Sequence, residues 1–356
     1  MGRVRASRSR VDTAPSGSPR PKRKEGPALA PLSIPIHRRK ETATVALVAV
    51  MVFISVVLII LLVINPITLV LVCIPYAVWL VVYDWDRARD GTGRPLPWLK
   101  RLSVWDNFRN YFPATSVVDD GAKFDANGRY LLGVHPHGIV SCSTWATFAL
   151  QYCPHLPFDY RIGTVSFNFR LPIWRDWLLG CSFVDVGFAS ASNVLKSGKS
   201  LFIIVGGAQE ALDARPGCYD LTLNRRKGFI RLALVNGADL VPVFCFGEND
   251  LYDSVVDNSI GTRTRRIQTA IQKAFGYSVP LINGRGVFNY RFGLLPHRRP
   301  TTTVIGPPIK VKQNAEPTQA EIDALHAQYV EALTTLHDKH RATYGHADDA
   351  PLRLIS

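Results

Sequence analysis

The chain has 356 residues, 47% of them hydrophobic, which is enough to bury a sizeable core and excludes wholesale disorder. A formal charge of +14 would suit nucleic acid, but residues 1–40 hold eleven Lys/Arg against Asp12 and Glu25. That tail carries +9 and leaves about +5 elsewhere, whereas nucleic-acid recognition needs a basic face on a folded surface, so no nucleic-acid partner is expected.

In chain order, residues 1–41 form a Pro/Ser/Arg-rich tail whose composition predicts disorder. Thr42 to Ile64 then supplies 23 uncharged residues, about 34 Å of helix and sufficient to cross a bilayer. Asn65-Pro66 interrupts the helix, and Ile67 to Tyr83 adds 17 uncharged residues ending in YAVWLVVY. Residues 42–83 therefore predict a transmembrane helical hairpin, 42–64 and 67–83. The apolar stretch starts too late and runs too long for a cleavable signal peptide, and Ala6 stands where myristoylation needs Ser or Thr. The basic tail places the amino terminus in the cytosol by the positive-inside rule, and two spans return the body there. One span followed by a buried helix is the alternative, with the body on the opposite side.

Residues 84–345 read as a mixed α/β domain, with 346–356 as a C-terminal tail. Strands are predicted at Arg129 to Val134, Ser200 to Val205, Leu240 to Phe246 and Thr302 to Ile305. Helices are predicted at Gly138 to Gln151, Gly228 to Asn236 and Gln319 to Tyr344. The last opens with a Thr318/Glu321 capping box and carries an apolar stripe of Ile322, Leu325, Tyr329, Leu333 and Leu336. The six scattered cysteines contain no C-x-x-C pair, so they read as reduced thiols and no metal site is expected. The absence of any N-x-[ST] sequon favours a cytosolic body.

Chemistry concentrates in GVHPHG, VGGAQE (Val205 to Glu210), NRRKGF (Asn224 to Phe229) and LVPVFCFGEND (Leu240 to Asp250), at or near predicted strand ends. His135 and His137 would share a face in extended backbone, but Pro136 and a turn at Gly138 leave their directions open. One imidazole is expected to reach substrate as a general base. A helix starting at Gly138 would favour neutral imidazole and offer N–H groups to a developing oxyanion. Glu210 and Glu248 each end a glycine-bearing loop, and either could orient the imidazole. Arg225, Arg226 and Lys227 before Gly228 predict a phosphate site at a helix start, with a solvated basic turn as the alternative. No P-loop, no G-x-G-x-x-G after a strand and no G-x-S-x-G elbow occurs, which argues against nucleotide cofactors and serine-hydrolase chemistry. Base, phosphate patch and hairpin together suggest acyl transfer from acyl-CoA to a lipid hydroxyl.

Seven ordered blocks between Trp98 and Gly345 resemble the type-2 diacylglycerol acyltransferase family, which also contains monoacylglycerol and wax-alcohol acyltransferases. They are YFP (Tyr111 to Pro113), HPHG (His135 to Gly138), FNFRLPIWRDWL (Phe167 to Leu178), VGGAQE, RKGFIRLALVNGADLVPVFCFGENDLY (Arg226 to Tyr252), GRGVFNYRFGLLP (Gly284 to Pro296) and VIGPPI (Val304 to Ile309). The resemblance implies a glycerolipid-acyltransferase-like mixed sheet flanked by helices, and an endoplasmic reticulum or lipid-droplet address. The wider glycerolipid acyltransferase group orients its histidine through H-x-x-x-x-D, but five residues beyond His135 and His137 stand Val140 and Cys142. Any orienting carboxylate must come from elsewhere. Val184 to Asn193 also departs from the family's usual Ser/Arg-containing turn, with Gly187-Phe188 in its place, and this bears on substrate preference.

The expected activity is esterification of diacylglycerol by acyl-CoA, a co-substrate rather than a cofactor. His137 is slightly preferred over His135 as base, and Glu210 over Glu248 as its partner. Gly138 would supply an oxyanion donor, and Arg225, Arg226 and Lys227 would hold CoA phosphates. Monoacylglycerol or a long-chain alcohol is the alternative acceptor, and a non-catalytic membrane-anchored lipid-binding protein the alternative class. Acyl-chain preference, homo-oligomerisation and regulation stay open.

Overall fold

The computed structural model describes residues 29–31, 33–254, 262–275, 280–346 and 349–355. Most of the predicted tail, and Ser356, lie outside these. Two apolar helices come first. Ile36–Ile64 and Pro66–Ala88 have 29 and 23 residues, each long enough to cross a bilayer at about 1.5 Å per residue. Between them the Asn65 side chain accepts the N–H groups of Ile67 and Thr68, and Pro66 occupies the first helical position, where its missing N–H costs nothing. The first helix begins six residues earlier than expected, at IHRRKE, whose residues continue the helix in its polar leading turns.

Among the described residues the strands are β1 (Thr115–Val118), β2 (Tyr130–His135), β3 (Tyr160–Thr164), β4 (Phe183–Asp185), β5 (Ser200–Ile204), β6 (Asp220–Leu221), β7 (Asp239–Phe246), β8 (Asp253–Ser254), β9 (Ile282–Asn283), β10 (Thr302–Ile305) and β11 (Arg353–Leu354). Seven form one sheet in the order β1-β10-β7-β2-β5-β3-β4. Neighbours run parallel except β10 against β7. Helices on both faces bury all of β2 and all of β7 beyond Asp239, so both read as largely continuous apolar runs rather than alternating ones. Strand alternation still sorts their side chains. Leu132, Val134, Val241 and Val243 join the core beside the first span, and Leu131, Leu240 and Phe244 join the core under the C-terminal helix Gln319–Tyr344. That helix carries the expected capping box and buries the whole expected stripe.

Sequence periodicity located β2, β5, β7 and β10 to within a residue at each end. It missed β1, β3 and β4, which have five residues or fewer and are interrupted by Ser116, Arg161, Gly163 and Asp185. The expected helix Gly138–Gln151 is shorter: helical turns run only from Cys142 to Ala149. Gly138 and Ser141 have φ of 60° and 53°, in the left-handed region that cannot continue a right-handed helix. The C-terminal tail is tied down, since β11 pairs with β6. The six cysteines are free thiols, five of them buried.

The hairpin is fastened to the body at both ends. Val45 in the first span is buried and joins the core beside the helix Val104–Tyr111. Asp84, near the end of the second, forms a buried ion pair with Arg175 of the FNFRLPIWRDWL block and lies 3.3 Å from Arg94 Nε. Removing one partner of such a pair leaves an uncompensated buried charge. Arg175→Met is expected to cost about 3–5 kcal/mol, less whatever Arg94 retains. Thermal unfolding in detergent checks this, and adding Asp84→Asn should recover part of the loss.

Candidate active site

His135 and His137 flank a cis His135–Pro136 bond and face different surroundings. His135 is the last residue of β2, two places beyond Gly133 and on the same face of the strand. That face looks toward the C-terminal helix. Tyr329 Oη donates to the Gly133 carbonyl at 3.1 Å and lies 3.1 Å from His135 Nε2, so the imidazole donates from Nε2. A side chain at position 133 would collide with the Tyr329 hydroxyl. His135 is completely buried, and its Nδ1 has no partner among the described residues. Burial pushes its pKa down to about 3.

His137 lies beyond the strand and faces a cavity of about 470 Å³ on the opposite side of the sheet. Its Nδ1 is 3.0 Å from the Gly138 carbonyl, which can only accept, so the proton sits on Nδ1 and Nε2 carries the lone pair. Burial lowers its pKa, while the Gly138 carbonyl opposes that shift. A neutral imidazole with a free lone pair is the form a general base requires. The cavity is mostly apolar. Val45, Val48, Ala49 and Val52 of the first span supply one wall, and Trp145, Trp174, Tyr252 and Leu294 are among the body residues opposite. No pattern in the sequence pointed to these wall residues, because the hairpin and the body are distant in the chain.

Glu210 and Glu248 both lie beside the HPHG loop, but neither is hydrogen-bonded to an imidazole among the described residues. Glu210 Oε2 accepts the His137 N–H at 3.0 Å, and Oε1 accepts the Thr222 N–H at 2.9 Å. Glu248 Oε1 accepts the Cys142 N–H at 2.9 Å, and Oε2 accepts the Ser143 N–H at 2.8 Å and its hydroxyl at 2.5 Å. The two carboxylates hold the chain at His137 and at the turn that follows it. Burial raises both, Glu210 to about 7, although the N–H donors pull each back toward the charged form. Two glycines make room. A Cβ at Gly206 would stand 1.9 Å from Glu210 Cδ, and one at Gly138 would stand 2.5 Å from Glu248 Cγ.

No helix starts at Gly138, whose φ of 60° lies in the left-handed region. The N–H groups at the helix start four residues later are taken by Glu248. The Gly138 N–H itself has no acceptor among the described residues and adjoins His137.

The basic triplet divides. Lys227 pairs with Asp323 of the C-terminal helix at 2.7 Å. Arg226 Nη2 donates to the Gly206 carbonyl at 3.3 Å, and Arg225 and Arg226 border a second hollow of about 340 Å³ with Val186, Phe188 and Phe229. Val186 lines both this hollow and the His137 cavity. Among the described residues no group of three His, Cys, Asp or Glu is placed to hold a metal ion.

His135 makes a pH-dependent contribution to folding. Its folded pKa lies below the unfolded value near 6.5, so the unfolded chain binds the extra proton. Stability from this group is complete above about pH 6.5 and is lost as pH falls from there toward about 3. Glu210 acts in the opposite sense, since its raised pKa favours folding in the neutral form. The His135 share is therefore read by difference. His135→Gln is expected to flatten the slope of stability against pH between 6.5 and 4 by up to about 1.4 kcal/mol per unit, measured by denaturant titration in detergent.

The family model for diacylglycerol acyltransferase matches residues 61–355. Diacylglycerol O-acyltransferase 2 of Dictyostelium discoideum is 39% identical over 332 residues, covering 91% of this chain and 98% of that protein. Diacylglycerol O-acyltransferase 2A of Umbelopsis ramanniana is also 39% identical, over 327 residues, 89% of this chain and 91% of its own. The 2-acylglycerol O-acyltransferase 1 of Bos taurus is 37% identical over 325 residues, 89% and 96% of the two chains. Among solved structures, the 1-acyl-sn-glycerophosphate acyltransferase PlsC of Thermotoga maritima aligns with a TM-score of 0.43 at 10% identity, covering 85% of this chain and 96% of that one, too loosely to carry detail.

Proposed function

This chain belongs to the diacylglycerol acyltransferase family, and on that premise we propose that it is a membrane-bound O-acyltransferase that esterifies the free hydroxyl of diacylglycerol with the acyl group of acyl-CoA. The observation that carries the reading is a single neutral imidazole, His137, presenting an unprotonated Nε2 to an apolar cavity walled partly by a membrane helix. Such a cavity suits a lipid acceptor arriving from the bilayer and excludes the water that would hydrolyse the thioester.

His137 Nε2 takes the proton of the acceptor hydroxyl as its oxygen attacks the thioester carbon. The Gly138 carbonyl, hydrogen-bonded to Nδ1, holds the ring and favours the imidazolium that forms. Glu210 is a positioning residue that fixes the His137 backbone, and Glu248 fixes the turn that follows. The Gly138 N–H, next in the chain after His137 and without an acceptor among the described residues, is the donor for the tetrahedral oxyanion. Collapse expels CoA thiolate, the imidazolium returns the proton to its sulfur, and the ester is left in the cavity. Arg225 and Arg226 hold CoA phosphates at the second hollow, while Lys227 serves as a structural partner of Asp323. The body and both termini face the cytosol, at the endoplasmic reticulum or a lipid droplet. Relatives that act on 2-acylglycerol make monoacylglycerol the second acceptor to be tested.

Microsomes offered labelled acyl-CoA with diacylglycerol, monoacylglycerol or a fatty alcohol separate the acceptors, and ester on diacylglycerol should dominate. His137→Ala should lower turnover about 10²–10⁴-fold, whereas His135→Gln should act mainly through stability. Full turnover in His137→Ala would sink the general-base assignment. Because burial depresses the His137 pKa, the acid limb of kcat/KM should have its midpoint below about 6.5, the ordinary imidazole value. Arg225→Ala with Arg226→Ala should raise KM for acyl-CoA about tenfold or more and leave KM for the acceptor unchanged. An unchanged KM for acyl-CoA would remove the phosphate role.

A further inference from the structure

We propose that the loop Gly284–Pro296 is a second membrane contact, whose tip side chains Phe288 and Phe292 insert into the bilayer leaflet beside the entrance of the His137 cavity. Outside the two apolar helices, the described residues hold no comparable concentration of exposed apolar side chains. Phe288 is 74% exposed, Phe292 66% and Leu294 76%, with Val287 and Leu281 also outward. A patch of this kind on a soluble face is a liability unless something covers it.

The lipid leaflet is the occupant that the loop's position selects. Leu294, Pro296 and Ile282 line the same cavity as Val45, Val48, Ala49 and Val52, so the base of the loop shares that cavity with the first half of the apolar helix Ile36–Ile64. Arg298, just beyond the loop, pairs with Glu41 and lies over the Tyr111 ring at 4.4 Å, at the polar leading end of that helix. At the tip, the Ala30 N–H donates to the Phe288 carbonyl at 2.8 Å, which joins the loop to the segment that leads into the span. The exposed apolar side chains thus project from a loop held against the segment that enters the first apolar helix and against its leading turns.

The backbone is also prepared for an environment short of water. Non-helical backbone near hydrocarbon must satisfy its own polar groups. Arg285 and Leu295 exchange both N–H···O bonds, at 2.7 and 2.9 Å, and Gly284 N–H donates to Gly293 O at 2.9 Å. Gly286 N–H donates to Asn289 O at 2.7 Å. The Asn289 side chain accepts the Arg291 N–H at 2.8 Å, and Asn283 Nδ2 donates to the Arg291 carbonyl at 2.8 Å. The guanidinium of Arg285 stacks over Tyr290 at 4.2 Å. Outward Phe with arginine and tyrosine behind it is the composition of a membrane interface, where aromatic rings sit at headgroup depth and cations reach phosphates.

The test uses the full chain in phosphatidylcholine nanodiscs. Cys73→Ser removes the one cysteine that is not buried, and single nitroxide labels are placed by Phe288→Cys, Phe292→Cys and Lys312→Cys. Lys312 is exposed at the opposite end of the sheet, next to the Val311 N–H that donates to Asp239 at the start of β7. Power-saturation electron paramagnetic resonance then compares collisions with oxygen, which concentrates in lipid, and with a water-soluble nickel chelate. The oxygen-to-nickel ratio is expected to be several-fold higher at 288 and 292 than at 312. A ratio at 288 and 292 equal to that at 312 overturns the proposal in favour of a water-facing loop. Exclusion of both reagents overturns it in favour of a protein partner, such as a second copy of the chain. The readout requires no turnover, so it stands or falls separately from the acyltransfer chemistry.

Discussion

Two buried carboxylates hold the HPHG loop and the turn after it, and the geometry of the candidate site depends on them. Glu210 takes the N–H of His137 itself, and Glu248 takes the N–H groups of Cys142 and Ser143 just beyond. A buried carboxylate is costly unless hydrogen-bonded, and one bonded by charge-assisted N–H groups holds its partners more firmly than neutral bonds do. Each costs burial energy that the surrounding packing must offset, and each in return fixes backbone where a loop would otherwise be loose. The glycines of HPHG and VGGAQE follow from the same constraint, since any Cβ at Gly138 or Gly206 would occupy the space of a carboxylate.

This arrangement replaces the familiar side-chain partnership between histidine and carboxylate. The His137 ring is oriented by the carbonyl of its own neighbour, while the acid groups act one step away through the main chain. The absence of an aspartate five residues after either histidine is then understandable. With the backbone carbonyl fixing the tautomer, a carboxylate on the ring is not needed to expose the Nε2 lone pair.

The membrane hairpin is part of the site as well as its anchor. Its first helix supplies a wall of the cavity, and its second is fastened to the body by Asp84 and Arg175. The cavity that His137 faces is therefore formed only when the first helix and the body are docked.

The sequence by itself determined the elements with strong local signals. These are the two apolar spans broken at Asn65-Pro66, the central strands β2, β5, β7 and β10, and the C-terminal helix with its capping box and buried stripe. Motif order also identified the family, and composition singled out HPHG, Glu210 and Glu248, because residue type and spacing are carried within short stretches. Which imidazole faces the cavity was decided only by the tertiary structure. Strand alternation puts His135 on the same face as Gly133, but only packing reveals that this face belongs to Tyr329 and the other to the cavity. The roles of the two glutamates were likewise invisible, since a carboxylate's partners 73 and 106 residues away are brought to it by the sheet and not by the chain. The ion pair of Lys227 was hidden for the same physical reason: Asp323, 96 residues further on, is brought to it by the packing of the C-terminal helix and not by the chain.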